Sequence, residues 1–318
     1  MRVSTSMIFN SGVGGMRDLQ SGLYKLQNQL ATGRRILTPA DDPIGAAEAL
    51  KVTQGKNVNE RFIENQGQAS SKLAFAETKL QGVQEELKAI YERGLQAGNG
   101  SYSDEQKAMI ATELKQRMES LIGLANTRDG AGEYIFAGYK STTEPFTRNT
   151  AATPPYSLAG SSMAYHGDAG KPALSVSASR DMAVGENGLD VFMQVRDASG
   201  NATGESVFDS VQNMIDILDP ASGVPYTQAA YNQALGGIMD SLDHMNTVRA
   251  SIGSRLKALD DLKSSAEDVN LNYEMRLSEL QDLDWLSAIS SFTQHKMQLD
   301  AAQTTFQQTS QMSLFSML

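Results

Sequence analysis

WLSAISSFTQHKMQLDAAQTTFQQTSQMSLFSML, residues 285–318, is the stretch from which the rest of the chain can be read. Its 34 residues carry two formal charges, Lys296 and Asp300, among six Gln and ten Ser or Thr. Trp285, Phe292, Leu299 and Phe306 recur every seven residues, with Ile289 and Ala302 between them. That is the spacing of a helical seam. A surface helix ordinarily sets such a seam against a strongly charged face. Here the other face is Gln, Ser and Thr, which hydrogen-bonds well and repels neighbours poorly. The pattern predicts a helix surrounded by other helices.

The beginning of the chain mirrors its end. Phe9, Met16, Leu23 and Leu30 are also seven apart, with Val13, Leu19 and Leu26 between them. From Val3 to Leu30 only Arg17, Asp18 and Lys25 are charged. Gly12, Gly14 and Gly15 weaken this helix by about 1 kcal/mol each relative to Ala. Gly33 is placed to end it, with Arg34 and Arg35 near the negative end of its dipole. Each buried apolar side chain contributes ~1.5–3 kcal/mol, against an ordering cost of ~1–2 kcal/mol per residue. The margin for an isolated pair of such helices is thin, so the ends are expected to fray in the monomer and to order on assembly.

Composition excludes several function classes. The formal net charge of −10 argues against nucleic acid, whose binding needs clustered Lys and Arg. The absence of Cys removes disulfides and thiolate zinc sites. No stretch approaches the ~18–20 apolar residues of a membrane helix, so no membrane insertion is expected. Met1 to Ser6 contains no apolar run of the kind a cleaved signal peptide carries.

Between the ends, Asp42 reads as an N-cap with Pro43 at the first helical position. Helical spacing runs through Leu73, Leu80, Val83, Leu87 and Ile90 and breaks at Gly98-Asn99-Gly100. Ser103 and Gln106 form a capping-box pattern ahead of Ile110, Leu114, Leu121 and Ala125. Residues 128–204 then hold 10 of the 27 Gly and 4 of the 8 Pro. Alternation at Leu174, Val176, Ala178 and at Val191, Met193, Val195 predicts two strands there. Helical spacing returns at Phe208, Val211, Ile215 and Leu218 and stops at Pro220. No Gly follows Gly253, so the last 65 residues predict a single helix of about 98 Å. The expected fold is mainly α, a long antiparallel bundle of paired N- and C-terminal segments with a small β-rich insertion. Its expected parts are terminal helices at 1–40 and 283–318, a helical bundle at 41–133 and 205–282, and a β-rich domain at 134–204.

Four groups of residues carry a resemblance. They are Leu30 to Ile36 with Pro39-Ala40-Asp41-Asp42-Pro43-Ile44-Gly45-Ala46-Ala47; Tyr134-Ile135-Phe136-Ala137-Gly138 with Pro145-Phe146; Tyr165-His166-Gly167-Asp168-Ala169-Gly170 with Asn187-Gly188; and Arg249, Gly253, Arg255, Leu256 with Asp282 and Asp284. In order and spacing the chain resembles the flagellin superfamily and, within it, the hook–filament junction family of the bacterial flagellum. Residues 147–160 and 196–204 take no part in the likeness.

The resemblance implies a structural axial protein. It implies type III export without a cleaved signal, escorted by a flagellar export chaperone on the C-terminal helix. It further implies a ring of like subunits joining hook-associated protein 1 to the flagellin filament. Phe9, Met16, Leu19, Leu23, Leu26, Leu30, Trp285, Ile289, Phe292, Leu299 and Phe306 are the expected assembly residues. A short flagellin is the nearest alternative, disfavoured by the Asp-Asp-Pro and Tyr-His-Gly-Asp motifs. An exported translocator or adhesin is a more distant one.

No enzymatic constellation competes. Asp41-Asp42 reads as a helix cap. His166 and Asp168 lack a third ligand, and His244 and His295 lie in helical segments. Gly12-Val13-Gly14-Gly15 follows no strand and lacks phosphate-loop spacing. No cofactor or metal is expected.

Overall fold

The computed structural model describes residues 5–99, 102–197 and 199–315. Met1 to Ser4, which open the segment read as lacking a signal peptide, lie outside the described residues. So do Gly100, part of the Gly-Asn-Gly break, and Ser316 to Leu318. Six α-helices are described: α1 (Thr5–Thr32), α2 (Pro43–Ala97), α3 (Asp104–Ala125), α4 (Val207–Leu218), α5 (Gln228–Gln281) and α6 (Trp285–Phe315). The strands are β1 (Phe146–Arg148), β2 (Met163–Tyr165), β3 (Ala173–Ser177) and β4 (Arg180–Ala183). They pair antiparallel as β1–β2, with Phe146 opposite Tyr165, and β3–β4, with Leu174 opposite Met182 and a bulge between Ser175 and Ser177.

The capping signals act where the sequence puts them. Asp42 Oδ1 accepts from Gly45 N at 2.9 Å, and α2 starts at Pro43. Ser103 and Gln106 form the reciprocal capping box of α3. Asp41 has a different task. Its Oδ2 accepts from the backbone N–H of Leu37 and Thr38 at 3.2 and 2.9 Å, closing the turn ahead of α2. Its Oδ1 lies 2.7 Å from Lys25 Nζ on α1.

Two expectations of secondary structure fail. The final helix is not continuous. It breaks after Gln281, and α6 begins at Trp285, capped by Asp284, whose Oδ1 accepts from Leu286 N and Ser287 N at 3.1 and 3.2 Å. The break lies against the turn after α1: Arg35 N donates to Gln281 O at 2.7 Å and Leu283 N to Gly33 O at 2.9 Å. These backbone bonds offset the helical ones given up, and an acidic pair at 282 and 284 favours a new helix start. Nor do Val191, Met193 and Val195 form a strand. Leu189–Met193 is a π-helical turn in which Val191, Phe192 and Met193 are all buried, and a strand would have turned Phe192 to the other face.

The chain divides into two compact units, Met1–Glu60 with Glu267–Leu318, and Arg61–Ala266. This differs from the expected three-part division, in which 134–204 stood apart. In the second unit Phe146 packs on Phe208 of α4 with ring centroids 5.2 Å apart, and Phe192 on Phe208 at 5.6 Å. Phe136 joins the group against Phe192 at 5.1 Å. The same core continues through Leu73, Leu80, Leu87 and Ile90 of α2, Leu114 and Leu121 of α3, and Ile238 and Ile252 of α5. Four short strands in two hairpins cannot build a separate core; they close over the helices instead.

Candidate assembly surface

In the first unit α1 and α6 run antiparallel. Alternating three- and four-residue steps place Phe9, Gly12, Met16, Leu19, Leu23, Leu26 and Leu30 on one face of α1. The same alternation on α6 selects Ala288, Phe292, His295, Leu299, Ala302 and Phe306. The rings of Phe9 and Phe306 are 5.0 Å apart. Gly22 faces His295, and Gly33 faces Trp285. Met16, Leu19, Leu23, Leu26, Leu30, Phe292, Leu299 and Phe306 are half-buried. The seam therefore brings together nearly all the residues expected on it, and leaves each partly open.

Ile289 is the exception. It is 52% exposed, and Ala288, 5% exposed, holds the seam position beside it. Counting four residues back from Phe292, and not three, finds Ala288, a signal that the size of Ile289 obscured. Trp285 sits on the seam at the very start of α6 and is half open, and Phe9 is exposed toward the other end. Leu286, Ile289 and Met297 form a second apolar stripe on α6, and Tyr24 is open on α1. Gly12, Gly22 and His295 are the seam residues that apolar spacing could not reveal, because none is a conventional hydrophobe.

The remaining motifs have structural work. Tyr165 Oη donates to Phe136 O or Asp168 O, at 3.0 and 2.9 Å, and accepts from Gly188 N at 3.2 Å. Burial pushes its phenol up to about 12. Asp168 Oδ1 accepts from Tyr139 N and Gly170 N at 3.0 and 2.8 Å, and these bonds hold its carboxyl below the usual range. Gly138 has φ +71, and a Cβ there would strike Asp168. Thus Tyr134–Gly138, Tyr165–Gly170 and Asn187–Gly188 tie three distant segments into one knot. His166 Nε2 is 2.8 Å from Thr147 Oγ1. Burial lowers the pKa of His244, whose Nε2 lies 2.9 Å from Asp190 O.

Arg249 donates to Glu77 and Gln84 of α2. Arg255 donates to Ala183 O and to Glu186, a buried carboxylate also paired with Lys171. Nothing within reach explains Gly253. Among the described residues no group of three His, Cys, Asp or Glu could hold a metal, and no helix is long and apolar enough to cross a membrane. Gly12 to Gly15 lie inside α1 and form no loop.

Comparison with known proteins follows the same line. A family model described as bacterial flagellin N-terminal helical region matches residues 3–141. Flagellar hook-associated protein 3 of Salmonella typhimurium strain LT2 is 32% identical, with 100% of this chain and 99% of the relative covered. Its counterpart in Escherichia coli strain K12 is 31% identical over 100% and 99% of the two chains. The crystal structure of flagellar hook associated protein-3 from Legionella pneumophila has a TM-score of 0.63 at 23% identity, covering 72% of this chain and 98% of that one.

Proposed function

The chain belongs to the flagellar hook-associated protein 3 family, and on that premise we propose that it is a structural, non-enzymatic subunit of the hook–filament junction. It leaves the cell through the flagellar type III route, with an export chaperone engaging the α6 region. It then assembles as a ring of like subunits between hook-associated protein 1 and flagellin. The observation that carries this reading is the paired ends. Their seam is only half closed, their outer faces bear few charges, and α6 adds the exposed stripe Leu286, Ile289 and Met297. An open apolar surface of this kind marks an interaction site, and closing it with neighbouring subunits would convert a weak pair into a buried core. Phe9, Met16, Leu19, Leu23, Leu26, Leu30, Trp285, Ile289, Phe292, Leu299 and Phe306 are the proposed assembly residues, with Ile289 acting between subunits.

Deletion of the gene tests the assignment. Loss of a junction protein leaves hooks intact while flagellin escapes into the medium, and restoring the gene recovers anchored filaments. Hooks carrying normal filaments in the deletion strain would rule the junction role out. Loss of the filament material itself would identify the chain as a flagellin.

A further inference from the structure

A helix pair with a seven-residue repeat and few charges has a register problem. Sliding one helix by seven residues brings apolar seam positions opposite one another again. Charged flanking positions ordinarily select one register. Here α1 offers only Arg17, Asp18 and Lys25, and α6 only Lys296 and Asp300. Lys25 is already engaged with Asp41.

We propose that the register of the two chain ends is set by shape, through Gly12, Gly22 and Gly33 mated to Phe306, His295 and Trp285. A Cβ on Gly12 would lie 2.9 Å from the Phe306 ring, one on Gly22 3.1 Å from His295 Nδ1, and one on Gly33 3.5 Å from the Trp285 ring. The first two distances are too short for an ordinary side chain to be accepted without movement. The glycines stand ten and eleven residues apart along α1 and its end, and the rings stand eleven and ten apart in the opposing direction. One antiparallel alignment therefore seats all three rings. A slip of seven takes Phe306 from Gly12 to Leu19 and leaves Gly22 facing Ala302, or takes Phe306 to Thr5 and leaves Gly22 facing Ala288. Either slip fills one hole with a clash or leaves another empty.

Two observations separate this device from a chance run of small residues. A Cβ placed on Gly14 or Gly15 would meet nothing within 4 Å, so not every glycine of α1 is a hole. His295 Nδ1 is buried with no hydrogen-bond partner among the described residues, so the ring is held at Gly22 by fit and not by a polar bond. The glycines at 12 and 22, which weaken α1 as an isolated helix, are positions that align it with α6.

The full chain has no Cys, so introduced thiols are the only ones present. Leu26→Cys with Phe292→Cys reports the native register, and Leu26→Cys with Leu299→Cys reports a slip of seven. A disulfide forms only where the two Cβ atoms come within ~4.5 Å. Gly22→Leu should lower the native cross-link about fivefold, although Leu favours the helical backbone more than Gly does. Adding His295→Ala should restore it, and Gly14→Leu should leave it unchanged. If Gly22→Leu abolishes both cross-links, the same second substitution decides: recovery of the native one supports the device, and continued loss overturns it. An unchanged native cross-link in Gly22→Leu also overturns it.

Discussion

In the pair formed by α1 and α6, only Gln29 and Ala288 are buried among the described side chains. In residues 61–266, Leu73, Leu80, Leu87, Ile90, Leu114, Phe136, Phe192 and Phe208 are all completely enclosed. Both regions use the same helical spacing of apolar residues. They differ in what lies on the second side of each helix. In 61–266 an α-helix meets other helices and the β hairpins, so its apolar stripe is covered from several directions. Among the described residues each helix of the end pair packs mainly on the other, and two cylinders touching along a line cannot enclose the side chains between them. Periodicity alone thus does not distinguish a core from half of an interface; the composition of the far side does.

The largest effect that would break this comparison comes from removing α6. Deleting 285–318 should abolish incorporation into the flagellum while leaving the secondary structure and cooperative melting of 61–266 in place, read by circular dichroism. Collapse of the whole spectrum would mean that the ends belong to the same folding unit as the core. Next comes Phe192→Ala, which removes a ring that meets Phe136, Phe146 and Phe208. It should destabilise the chain by ~3–5 kcal/mol in denaturant.

Leu23→Ala, on the half-closed seam, should cost less, ~1–2 kcal/mol, because part of that side chain is already in water. Trp285 is the sole Trp, so its fluorescence reports the end pair directly. Limited proteolysis sharpens the contrast further: cleavage of the purified monomer should enter 5–32 and 285–315 well before 61–266.

The smallest expected effect is acid sensitivity at the turn beside α1. The Lys25 ammonium and the Thr38 N–H hold the Asp41 carboxyl down to about 2. A carboxylate with a depressed folded pKa stabilises the folded state above its unfolded value, ~3.9. That contribution fades as pH falls through about 2. Asp41→Asn should flatten the loss of Trp285 fluorescence between those limits, and an unchanged acid titration would remove Asp41 from the account.

Much of this was legible in order along the chain. Asp42-Pro43, Ser103 with Gln106, and Phe208 through Leu218 were readable because caps and helical stripes are local: the partners lie within four residues. The two terminal seams were readable for the same reason. The break at 282–284 was not: Asp284 offers a local cap, but no Gly or Pro there stops a helix. The break is stabilised by Gly33 and Arg35, some 250 residues away. The π-helical turn at Leu189–Met193 was hidden as well, since a short apolar run has no period until its surroundings are known.

The same division holds for the candidate assembly surface. Residue order is enough to make both ends helical, apolar on one stripe and poor in charge, because periodicity and composition are properties of neighbouring residues. It is enough for the family likeness too, through motifs whose order survives without coordinates. Packing in three dimensions had to select Ala288 over Ile289 as the residue that faces α1, to take Asp41 out of the cap and give it to the turn and Lys25, and to give the β hairpins a core shared with the helices. Packing alone matched Gly12, Gly22 and Gly33 to three rings. A glycine's role is the space it leaves, and that space has no meaning until another segment is brought to fill it.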